Sequence, residues 1–93
     1  MAAPENRQTN EGVDVRLEAV VLQRVLDLHP AGITVDELAR DLTGAKDGFA
    51  ARDGIERAID ELTRSGLLHP VADGFVAPTR PAVRIGELLG SLA

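Results

Sequence analysis

The side chains best equipped to act on another molecule in this sequence are its arginines. Arg52, Arg57 and Arg64 fall in one predicted helical stretch, Arg40 and Lys46 lie just before it, and Arg80 lies beyond it. A guanidinium is permanently charged and offers a planar fork of donors, which suits phosphate and other oxyanions. Counter-charges run through the same stretch. Lys46, Arg52, Arg57 and Arg64 face Asp47, Asp53, Glu56, Asp60 and Glu61, a balance of −1 from Lys46 to Gly66. The spacing predicts Asp53–Arg57, Arg57–Glu61 and Asp60–Arg64 pairs at i,i+4, each worth about 0.2–0.5 kcal/mol on a helix surface. A carboxylate beside an arginine also competes with any incoming phosphate. Two readings of this face therefore stand: a solvated, ion-paired surface and an anion-contacting one.

Other chemistries are poorly supplied. The chain has no cysteine, so disulfides, thiolate metal sites and cysteine nucleophiles are excluded. His29 and His69 are isolated, without the clustered ligands a metal site needs. Asp60 and Glu61 are adjacent on a helix and diverge, which does not suit paired acid–base work. Ser65 and Ser91 have no histidine at a triad-like spacing, and Gly44, Gly48 and Gly54 do not match a phosphate-binding loop. The expectation is a protein that is not an enzyme and carries no cofactor and no metal.

Length and composition set the frame for these residues. Ninety-three residues make one domain, and 44% hydrophobic content allows one small core. That core must be aliphatic, because the chain has two Phe, no Tyr and no Trp; Phe49 and Phe75 are expected as its only large rings. Acidic residues outnumber basic ones 15 to 10, giving a net charge of −5. This argues against a strongly basic nucleic-acid footprint and against an anionic membrane surface. No apolar run nears the roughly 20 residues of a membrane span. The amino-terminal segment lacks the apolar stretch of a signal peptide. The expected setting is soluble and cytoplasmic.

Residues 1–12 are polar, with Pro4 and Gly12, and are expected to form a disordered tail ahead of a domain at 13–93. A first helix is predicted from about Val15 to Leu28, after Asp14 as N-cap. Leu17, Val20, Val21 and Leu28 make one apolar face; Val15, Ala19, Leu22 and Leu26 make a second, nearly opposite. Such a helix should pack on two sides. Thr34-Val35-Asp36-Glu37 is a capping box that opens a second helix buried through Val35, Leu38, Ala39 and Leu42. The third helix carries Ile55, Ala58, Ile59 and Leu62 on one stripe and ends at Ser65-Gly66. Its start is open, with Asp47 or Asp53 as cap and Phe49 in the connection or first turn, folded into the core. Asp73-Gly74, between Leu67–Val71 and Phe75–Ala77, is a tight hairpin signal, and Pro70 puts its strand at an edge or bulge. A last helix starts near Thr79 to Pro81, with Ala82, Ile85, Leu88, Leu89 and Leu92 on one face.

The order is three helices, a two-stranded hairpin and a helix, with a short strand at Ile33 able to join the hairpin. It resembles a winged helix-turn-helix domain: mainly α with a small β-wing, a three-helix core, a short antiparallel hairpin and a C-terminal helix. The carriers are Gly32-Ile33-Thr34-Val35-Asp36-Glu37-Leu38-Ala39, then Ile55-Glu56-Arg57-Ala58-Ile59-Asp60-Glu61-Leu62, Ser65-Gly66-Leu67-Leu68 and Phe75-Val76-Ala77-Pro78-Thr79. The stretch from about Arg16 to Leu89 is covered. It looks like small actinobacterial winged-helix proteins, described as regulators, in which an Asp-x-Phe segment precedes the third helix; here that segment is Asp47-Gly48-Phe49. One departure is a connection between second and third helices, Thr43 to Asp53, longer than is usual in such folds. It either lengthens the third helix at its start or inserts a loop.

The resemblance implies a transcriptional regulator whose third helix enters the major groove of double-stranded DNA while the wing meets the flanking backbone. Arg52, Arg57 and Arg64 would contact DNA from that helix, and Arg40, Lys46 and Arg80 would hold phosphates. The wing tip Ala72-Asp73-Gly74 has no cation. The alternative is a winged-helix protein–protein interaction module that does not bind DNA. Apolar excess bears on both. Val15, Ala19, Leu22 and Leu26 with Ile85, Leu88, Leu89 and Leu92 either cover each other within one chain, or form a homodimer interface, or meet another protein.

Overall fold

The computed structural model describes residues 2–44 and 48–92, with side chains placed for 15–42, 44 and 52–92. The elements run α1 (Ala2–Leu28), β1 (Ile33–Thr34), α2 (Val35–Thr43), α3 (Gly48–Arg64), β2 (Leu68–Pro70), β3 (Phe75–Pro78) and α4 (Arg80–Gly90). The molecule is mainly helical, with a small three-stranded antiparallel sheet ordered β1-β3-β2. Ile33 pairs with Val76, and Leu68, His69 and Pro70 pair with Pro78, Ala77 and Val76. Pro70 sits on an edge strand, as its missing N–H requires. No helix among the described residues is long and apolar enough to cross a membrane.

The core is aliphatic. Val21 and Val25 of α1, Leu38 of α2, Ile55, Ala58, Ile59 and Leu62 of α3, and Ile33, Leu68 and Val76 of the sheet form one buried cluster. Four differences from the sequence reading have local causes. Helical backbone extends back to Ala2, where a disordered tail was expected; Pro4 in a first turn and the helix formers Glu5, Arg7, Gln8 and Glu11 are compatible with helix. The buried centre of α1 is Val21–Val25, one helical turn apart, whereas Val20 lies about 100° round the helix from Val21 and is exposed. Phe75 is 38% exposed rather than a core ring. Strand side chains alternate, so once Val76 and Pro78 point inward Phe75 points out, where it covers Gly32. Two expected caps lie inside helices instead: Asp14 is interior to α1, and Asp53 is interior to α3, which begins at Gly48 and so takes the longer start that was one of the two expectations. Phe49 is on its first turn, its side chain outside the described residues, as is Asp47.

The turn and cap chemistry follows the sequence closely. The Thr34 hydroxyl accepts from the Glu37 N–H at 3.1 Å, while Glu37 Oε1 accepts from the Thr34 N–H at 3.0 Å. At the end of α3, the Leu67 N–H donates to Leu62 and the Gly66 N–H to Thr63, with Gly66 at φ 81°. That left-handed residue is why glycine stands there. Asp73 (φ 66°) and Gly74 (φ 77°) close the hairpin. Thr79 caps α4 and donates its hydroxyl to the Gly66 carbonyl at 2.7 Å, pinning α4 to the end of α3.

The capping box yields a stability prediction. Thr34→Ala is expected to lower the unfolding free energy by about 1 kcal/mol in urea titrations. The hydrogen bond from the Thr34 backbone, then that from its hydroxyl, hold the exposed Glu37 carboxyl below its ordinary value of 4.5. A folded-state pKa below the unfolded one stabilises above 4.5, and the contribution is lost as pH falls from there through the lowered value. Glu37→Gln is expected to flatten that part of the acid-denaturation curve.

Candidate functional site

Helix α3 buries one stripe and presents the other. With Ile55, Ala58, Ile59 and Leu62 packed inward, Asp53, Arg57, Asp60 and Arg64 project outward at helical spacing. Gly54 lets α3 approach α1, since a Cβ there would lie 3.2 Å from Leu17 Cδ2. The arginines of this face differ in their surroundings. Arg52 is engaged on both edges of its guanidinium: Nη1 pairs with Asp36 on α2, and Nε donates to Glu56 Oε2 at 3.0 Å. It ties α2 to α3 and has little left for another ligand. Arg64 is loosely paired, Nη1 to Glu61 Oε1 at 3.4 Å.

Arg57 forms no ion pair among the described residues. None of the three predicted i,i+4 pairs forms. Asp36, sixteen residues away, and Glu56 engage Arg52, and Arg64 pairs at i,i+3. Arg57 and Arg64 together line a shallow groove of about 280 Å³ against Leu17 and Glu18 of α1. Exposed Arg40 on α2 and Arg80 at the start of α4 form no ion pair within the described residues. Lys46 lies outside those residues. The helix as a whole remains acidic, with three arginines against four carboxylates. The hairpin tip, Ala72–Gly74, adds Asp73 and no cation.

The eight apolar residues predicted to seek a partner split into two sets. Ala19, Leu22, Leu26, Ile85 and Leu89 line a groove of about 730 Å³ between α1 and α4, floored by Leu67 and Ala82. Val15, Leu88 and Leu92 stand outside it, 64%, 50% and 81% exposed. Leu26 and α4 meet at Gly86, where a Cβ would come within 3.2 Å of Leu26 Cδ1. The two helices therefore cover each other only in part. Sequence reasoning missed the polar members of this groove, Gln23, Asp27, His29 and Glu87. The Gln23–Asp27 spacing was the one available signal, and Gln23 Nε2 does donate to Asp27 at 2.8 Å. Among the described residues no three His, Asp or Glu side chains converge as a metal site would require.

No family model, curated protein or solved structure matches this chain.

Proposed function

We propose that the chain is a winged-helix protein that binds double-stranded DNA through the outer face of α3, acting as a homodimer and as a transcriptional regulator. One observation carries the reading. The helix that follows α2 in the chain is anchored by a wholly apolar stripe and directs an arginine, Arg57, outward with no ion pair among the described residues, while β2 and β3 form a hairpin beside it. That is the arrangement a major-groove reader needs, with phosphates taken by Arg40, Arg80 and Lys46 and a supporting role for Arg64. Arg52 is reassigned from DNA contact to bracing α2 against α3. Binding through so few cations has a shallow salt dependence, a slope of about −0.9 for each phosphate neutralised.

Fluorescence anisotropy with a labelled mixed-sequence duplex is the direct test. Measurable binding at about 50 mM salt that weakens on moving to about 150 mM supports the reading; no binding at the lower salt overturns it. The second reading, an interaction module without DNA binding, is favoured by one specific observation: α3 carries more carboxylates than arginines. The same titration decides between them.

The homodimer is tested separately. Leu88 on α4 and Leu92 just past its end are exposed and lie outside the groove. Leu88→Glu with Leu92→Glu is expected to convert a dimer to a folded monomer in sedimentation velocity. An unchanged sedimentation coefficient excludes that surface.

A further inference from the structure

The groove between α1 and α4 has the size and make-up of a small-molecule site. Its volume of about 730 Å³ lies within the roughly 300–1,000 Å³ of such sites, which are mostly apolar with a few polar groups that fix orientation. Leu22, Leu26, Ile85 and Leu89 supply the apolar walls. Among the described residues the ionisable groups are the carboxylates of Asp27 and Glu87 with the imidazole of His29, and no lysine or arginine lines the groove. Asp27 takes one hydrogen bond, from Gln23, on one oxygen and keeps the other as an acceptor. Glu87 is held only loosely, its Oε1 3.5 Å from Arg84 Nη1, with both side chains largely exposed. An anion entering here meets two carboxylates with no lysine or arginine among the described lining residues, whereas a cation meets Asp27 and the loosely paired Glu87.

We propose that this groove binds an apolar cation: an aromatic or aliphatic body seated on the leucines and Ile85, with an onium-type charge beside Asp27 and Glu87. The inference stands apart from the DNA reading, because it rests on α1 and α4 and not on the outer face of α3. Gly90 also lines the groove, and a Cβ there would meet nothing within 4 Å.

Calorimetric titration of the full chain, without DNA, with tetraphenylphosphonium and with tetraphenylborate tests this, the two probes having the same shape and opposite charge. Saturable binding of one phosphonium per chain is expected, at least about tenfold tighter than the borate. Each exposed ion pair contributes up to about fivefold, and the borate meets repulsion instead. Asp27→Asn with Glu87→Gln should weaken the phosphonium about tenfold without weakening the borate. Gly90→Leu should block the phosphonium while the thermal melt stays at or above that of the parent chain. No saturable binding, equal binding of both probes, or an unchanged phosphonium affinity in the Asp27→Asn, Glu87→Gln chain overturns the proposal. It is also overturned if the parent chain is a dimer that takes phosphonium only after Leu88→Glu with Leu92→Glu separates it, since the groove then belongs to a second copy. Each of these failures leaves the duplex titration, and the reading it tests, untouched.

Discussion

Replacing Arg57 with glutamate is expected to reduce duplex affinity by at least about tenfold at 50 mM salt while leaving the fold intact. The size follows from its place. An arginine that reaches a base edge contributes about 1–3 kcal/mol of discrimination, and one that reaches a phosphate adds about one unit to the salt slope. Arg57 projects from the outer face of α3 and forms no ion pair among the described residues, so its loss breaks none. Stability should shift by no more than about 0.5 kcal/mol, as for other surface substitutions. Arg57→Ala separates lost contact from added repulsion and should sit between the parent and the glutamate variant. Arg52→Ala provides the contrast. It removes the bridge to Asp36 and the bond to Glu56, and is expected to cost stability, each exposed pair up to about 1 kcal/mol, with a smaller effect on DNA. Anisotropy titrations paired with urea unfolding measure both. If Arg57→Glu binds duplex as the parent does, α3 is not the DNA-contacting element.

Leu38→Ala should be strongly destabilising, by about 2–5 kcal/mol. Leu38 is fully buried, on the inner face of α2, and belongs to the cluster that joins α1, α2, α3 and the sheet. The cost combines the lost transfer free energy of the side chain with the cavity left behind, and the spread reflects how far neighbours relax into it. A domain of this size has roughly 5–15 kcal/mol in total, so the variant approaches the limit of folding near physiological temperature. Urea unfolding with an unchanged m-value and a lower midpoint is the expected signature. A loss under about 1 kcal/mol contradicts the burial of this side chain.

Much of the fold was legible in short-range chemistry. Thr34 with Glu37, Ser65-Gly66 and Asp73-Gly74 act through partners within a few residues, and each forms the cap or turn that its sequence indicates. The apolar stripe of α3 was equally plain, since one helix face carries it. The site was legible only in part. Arg57, Arg64, Arg40 and Arg80 could be named as exposed cations, but their partners could not, because i,i+4 spacing states which groups are near and not which rotamers win. Arg52 found Asp36 on another helix instead, and that choice removes it from the set available to a ligand.

What the sequence determined by itself was the number and order of elements, the caps of α2 and α4 and the end of α3, an aliphatic core and an acidic balance on the helix that carries most of the candidate arginines, because all of these are sums over near neighbours; the predicted caps Asp14 and Asp53 instead lie inside α1 and α3. Tertiary structure alone decided which of the candidate arginines form ion pairs among the described residues, that Phe75 faces outward over Gly32 while Val76 turns in, and that α1 and α4 leave a groove lined by Asp27 and Glu87. Those outcomes depend on strand register and on the approach of helices distant in the chain.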